Sequence, residues 1–154
     1  MSDQPGQVVE GNPIINDAFA EPTQHWHFSG LVPQVKEGRR IAGYLAASPD
    51  GELKIADEII GFELVNEIRD RVRKWRDDGY QGSTVVTRDL LRHWFDDDRR
   101  VNNTRPFFCQ QEAVETIVFL AEAPADRKVG IVVPPSGEAY SRWAVKMATG
   151  SGKT

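Results

Sequence analysis

Ala148-Thr149-Gly150-Ser151-Gly152-Lys153-Thr154 is the stretch on which the fold turns. Gly150 and Gly152 let consecutive backbone N–H groups curl around phosphate oxygens, a conformation that side chains obstruct. Lys153 has the reach to meet the β- and γ-phosphates of a nucleoside triphosphate, and the Thr154 hydroxyl suits Mg²⁺. The pattern is a P-loop, G-x-x-x-x-G-K-[ST], with Met147 in place of its first glycine. A string this loose arises by chance in a chain of this length in roughly one case in a hundred. The plain alternative is a Gly/Ser-rich linker. Linkers, however, rarely carry Lys-Thr after the second glycine, and residues 140–147 read as a strand feeding the loop. ATP and Mg²⁺ are therefore the expected ligands. Thr149, Gly150, Ser151, Gly152, Lys153 and Thr154 are expected to hold the phosphates, with Lys153 and Thr154 as the catalytic pair and Thr154 as the metal ligand.

A P-loop alone does not choose among ATPase classes. Upstream stands Arg105-Pro106-Phe107-Phe108-Cys109-Gln110-Gln111-Glu112-Ala113-Val114, at the opening of a helix. It resembles the Q-motif region of superfamily 2 helicases, where a glutamine reads the adenine edge and an aromatic packs on the base. The resemblance makes Gln110 the adenine reader. Gln111 lies about 100° round the helix from it. The bland reading of Gln110 is an exposed residue that opens a helix.

The two motifs together resemble the ATPase (Res) subunit of type III restriction enzymes, among the DEAD/DEAH-like superfamily 2 proteins. Trp75-Arg76, Gly79-Tyr80, Thr87-Arg88-Asp89-Leu90-Leu91 and His93-Trp94 look like the region such proteins carry before the helicase core. Asn12-Pro13-Ile14-Ile15-Asn16 and Glu21-Pro22-Thr23 look like their N-terminal arm. The resemblance implies an ATP-dependent DNA translocase or helicase, partnered with a nuclease domain and a modification (methyltransferase) subunit. It implies an α/β, RecA-like core, of which these residues hold only the first elements, so that the chain itself is α+β. The chain stops inside the P-loop and is read as an N-terminal piece. It carries no Walker B box, arginine finger, second RecA-like lobe or nuclease residues. It is therefore expected not to turn over ATP by itself and to bind it poorly. Two other functions compete: another P-loop NTPase, such as a small kinase or transporter ATPase, and a non-enzymatic module whose P-loop is vestigial.

The organisation follows from periodicity. Residues 1–36 show no sustained period and read as an extended arm. Residues 37–104 form a family-specific region, and 105–154 the start of the helicase domain. Residues 41–47 and 52–55 flank Ser48-Pro49-Asp50-Gly51 and read as a hairpin. Three helices are expected near 57–78, 87–96 and 109–123. The first carries Val65, Ile68, Val72 and Trp75 on one face and stops at Gly79. Thr87 is expected to cap the second, with Leu90, Leu91 and Trp94 buried. Val114, Ile117, Val118 and Ala121 form the stripe of the third, and Pro124 ends it. Trp75, Trp94, Val72 and Leu91 are expected to share one small core.

Composition sets outer bounds. The chain has 154 residues, 27% charged and 40% hydrophobic, which are globular values. A formal charge of −4 excludes a strongly basic nucleic-acid module overall. No apolar run approaches the ~18 residues of a membrane span, and residues 1–13 lack the apolar centre of a secretory signal. The single cysteine, Cys109, excludes an intramolecular disulfide and fits a cytoplasmic protein. Three weaker constellations read as structure. His25 and His27 offer two imidazoles, too few for a metal site. His93 reads as a surface histidine. Arg69, Arg71, Arg73, Lys74 and Arg76 suit DNA phosphates, but the interleaved Glu67 and Asp70 favour a solvated, ion-paired helix face.

Overall fold

The computed structural model describes residues 12–28, 33–45, 59–95, 105–132, 137 and 144–147. Among them it is a mixed α+β chain with three helices and two small antiparallel sheets. In order these are β1 (Gln24–His27), β2 (Gln34–Glu37), β3 (Gly43–Leu45), β4 (Ile59–Gly61), α1 (Glu63–Asp77), α2 (Val85–Phe95) and α3 (Phe108–Glu122). A short 3-10 turn, Ala125–Lys128, follows α3. Two compact units result, Met1–Glu63 and Leu64–Thr154. No described helix is long and apolar enough to cross a membrane.

In the first unit, β1 pairs with β2 in the register Gln24↔Glu37, Trp26↔Val35. The Asn16 side chain organises the start of β1. Its Oδ1 accepts the Thr23 and Gln24 N–H groups at 3.1 Å each, and its Nδ2 donates to the Gln24 carbonyl at 2.9 Å. Trp26 Nε1–H donates to the Pro13 carbonyl at 3.0 Å. Part of the region read as an extended arm, 1–36, forms this ribbon. Every residue of β2 is exposed, so no apolar alternation marks it; backbone pairing and the Asn16 amide hold the ribbon instead.

β3 pairs with β4 through Gly43↔Gly61, Tyr44↔Ile60 and Leu45↔Ile59. A Cβ on Gly43 would stand 2.4 Å from the Ile60 carbonyl oxygen, so only glycine allows the strands this close. The first expected hairpin strand is thus present, and the residues expected opposite it, 52–55, lie outside the described residues. The expected helix start at 57 is corrected: Ile59 and Ile60, β-branched and therefore strand-favouring, are paired, and α1 begins at Glu63.

In the second unit, α1 ends as expected at Gly79, whose φ is 70°. The Gly79 N–H donates to the Arg76 carbonyl at 2.8 Å and the Tyr80 N–H to the Trp75 carbonyl at 2.9 Å, the two bonds of a Schellman ending. Tyr80 itself sits at φ 60°, an uncommon conformation for a side chain of its size. That backbone swings the Tyr80 ring back, edge-on to Trp75, at 5.0 Å between centroids. Trp75 also meets Phe119 edge-on at 5.6 Å, and its Nε1–H donates to the Gln81 carbonyl at 2.8 Å. Val72, Trp75, Tyr80, Leu91, Phe119 and Ala123 form the core.

Four expected details differ. Trp94 is 43% exposed, and Leu90 and Val65 are also exposed. Leu91 is the buried residue of α2 and Phe95 packs against the core beside it, and Tyr80 and Phe119 fill the room assigned to Trp94. Thr84, not Thr87, caps α2: its Oγ1 accepts the Thr87 N–H at 3.1 Å. Glu122 of α3 completes that end, accepting the Thr84 N–H at 3.0 Å and the Thr87 hydroxyl at 2.8 Å. The buried face of α3 is Phe108, Glu115 and Phe119, and Ala121 is exposed. Val114 and Val118 of the expected stripe pack against the core, while Glu115 and Phe119 are the more deeply buried positions. Residues 144–147 carry no strand, and 140–143 lie outside the described residues.

Two outcomes follow for stability. Trp75→Ala should cost about 3–5 kcal/mol in urea denaturation, whereas Trp94→Ala should cost under about 1 kcal/mol. Equal losses would restore Trp94 to the core. Gly82→Ala should destabilise by about 1–3 kcal/mol. Its φ is 86°, and an added Cβ would meet Pro124 Cγ at 2.3 Å. An unchanged denaturation midpoint would contradict that.

Candidate functional site

α3 begins with a charge-free turn whose backbone donors are partly met by its own sequence. The Gln110 side chain folds back so that Oε1 accepts the Phe107 N–H at 2.8 Å. The Phe107 carbonyl accepts the Gln110 and Gln111 N–H groups at 2.9 and 3.1 Å. Gln110 therefore stands at the third helical position, where a capping box places Glu or Gln.

The two glutamines separate as their helical offset requires. Gln111 turns toward the interior and its Nε2 donates to Glu115 Oε1 at 2.8 Å. Gln110 instead lines a pocket of about 420 Å³ at the junction of the end of α2 and the start of α3. Trp94 and Phe95 come from α2, Arg105 and Pro106 from the approach to α3, and Gln110 and Val114 from α3 itself. The Trp94 and Phe95 rings stand at 69° to one another, 6.3 Å apart. The lining combines flat apolar walls with an amide and a guanidinium. That set of groups suits a planar heteroaromatic ring with polar edges. Trp94 was missed as a site residue because an aromatic at helical spacing reads as core. Leu91 and Phe95 supply the inward contacts of α2 instead.

A second, larger hollow of about 610 Å³ lies along the other side of α3. Arg69 of α1, Cys109, Glu112 and Thr116 of α3, and residues 144–147 border it. Cys109 is exposed there. The expected phosphate and Mg²⁺ residues, Thr149, Gly150, Ser151, Gly152, Lys153 and Thr154, lie outside the described residues, directly after this segment.

The arginine cluster of α1 is engaged with protein carboxylates. Arg71 pairs with Glu67 and donates to the Arg127 carbonyl at 3.0 Å. Arg73 pairs with Asp70 at 2.8 Å, Arg69 with Glu112 at 3.8 Å, and Arg76 with Glu115 at 2.6 Å. These four arginines are thus ion-paired within the protein. His25 Nδ1 lies 2.8 Å from the Gly38 carbonyl, so that nitrogen carries the proton and donates. His93 is exposed on α2. Among the described residues no three His, Cys, Asp or Glu side chains are grouped to hold a metal ion.

No protein-family model matches this chain, and neither a curated protein nor a solved structure matches it.

Proposed function

We propose that this chain is the nucleotide-binding opening of an ATP-dependent DNA helicase or translocase of superfamily 2, of the type III restriction type. One observation carries the proposal: the Arg-Pro-Phe-Phe-Cys-Gln opening of a helix stands upstream of a P-loop in the same chain. Adenine would lie in the pocket beside Gln110, between the aromatic wall of Trp94 and the amide. The phosphates would lie on residues 149–153 and Mg²⁺ at Thr154. In this reading residues 105–154 open a RecA-like α/β domain. DNA is the polymer acted on, a modification (methyltransferase) subunit is the partner, and the protein works in the cytoplasm.

The chemistry asked of these residues is positioning and charge neutralisation, which is most of phosphoryl transfer. Lys153 places one positive charge against the β- and γ-oxygens as negative charge shifts during cleavage. In the ATPase that contains this sequence, Lys153→Ala should lower DNA-stimulated ATP hydrolysis by about 10²–10³-fold or more. Hydrolysis at the parent rate would sink the proposal.

Gln110 is tested by a variant that separates its two uses. Gln110→Ala removes the cap and the base contact together, so weaker ATP binding there is ambiguous. Gln110→Glu keeps an acceptor for the Phe107 N–H and adds a negative charge at the positive end of α3, so thermal stability should hold or rise. It removes the amide donor, and ATP affinity should fall by about 1–3 kcal/mol. Parent-level affinity in Gln110→Glu would leave Gln110 as a cap alone.

A further inference from the structure

We propose that the buried network around Glu115 sets the rotation of α3 about its own axis and so aims Gln110 into the pocket. This rests on the adenine reading above. Glu115 is fully buried, with 0% exposure. Arg76 Nε donates to both of its oxygens, at 3.0 and 2.9 Å, and Arg76 Nη2 to Oε2 at 2.6 Å. The Tyr80 hydroxyl donates to Oε1 at 2.7 Å and Gln111 Nε2 to the same oxygen at 2.8 Å. The Arg76 guanidinium also lies over the Phe108 ring, 5.3 Å from its centroid. One arginine of α1 thus meets the first and the third turns of α3.

The geometry follows from helical spacing. Gln111 and Glu115 are four residues apart and share a face. Gln110 and Val114, each one residue earlier, share the row about 100° away, and both line the pocket. Apolar packing by Phe119 and its neighbours is non-directional and tolerates a helix turning in place. Hydrogen bonds weaken steeply with angle, so a turn of α3 breaks this set together. A buried ion pair adds little stability over apolar groups of the same volume. Register therefore accounts for this one better than strength does. Arg76, Tyr80 and Glu115 do not line the pocket; they are positioning residues that act through Gln111 and the helix.

The experiment uses the 154-residue chain, titrated with adenosine and with guanosine and read by NMR at the Gln110 side-chain amide and the Trp94 indole. The parent should prefer adenosine. The double variant Arg76→Met with Glu115→Leu replaces the charges by apolar groups. It should remain folded, the Tyr80 hydroxyl and the Gln111 amide losing one acceptor, while its preference for adenosine should drop at least fivefold. A folded double variant with undiminished preference overturns the proposal and leaves the adenine reading standing. A parent with no preference removes the adenine reading, and this proposal with it. If the double variant does not fold, Tyr80→Phe decides. A two- to threefold loss of preference at parent melting temperature supports the proposal, and parent-level preference overturns it.

Discussion

The carboxylate of Glu115 is the constraint around which the second unit is arranged. A charge with no access to water must find its full complement of donors inside the protein. Those donors come from three separate places: the end of α1, the corner after it, and the first turn of α3. The corner explains why Tyr80 keeps a left-handed backbone. The Schellman ending at Gly79 turns the chain so that the Tyr80 ring lies on Trp75 while its hydroxyl reaches Glu115. A packing requirement and a polar requirement are met by one side chain.

A second carboxylate repeats the device at the other end of α3. Glu122 accepts from Thr84 and Thr87 at the start of α2, where the helix dipole favours negative charge. α2 is therefore held at its N-terminus by an acid of α3 and along its length by Leu91. Its other end carries Trp94 and Phe95 to the pocket.

Helix positions were legible in the sequence wherever an apolar row met a capping signal. Val72 and Trp75 fell inward, Gly79 stopped α1 and Pro124 followed the end of α3. Where the sequence misled, a polar group had taken a structural role. Glu115 reads as a surface residue until Arg76 and Tyr80 are placed beside it, so the predicted α3 stripe omits it although Val114 and Val118 do pack against the core. Thr84 and Thr87 are both good caps, and only Glu122, remote in sequence, separates them. β1 and β2 carry no alternation because one strand is exposed throughout. Of the candidate site, Gln110 was legible as a helix-opening glutamine. The pocket was not, because it needs Trp94 to be outside the core, and that is decided by Tyr80 and Phe119.

The division at Glu63 and Leu64 also sorts charge. Of the 23 acidic residues ten precede Leu64, against four of the 19 basic ones, so the first unit is strongly anionic and the second slightly cationic. A net charge of −4 for the whole conceals a polarity between its parts. The net charge of the first unit repels a polyanion, and that of the second attracts it weakly. Added salt would erase that bias over a distance of about 10 Å, leaving the short-range contacts of each unit as they are.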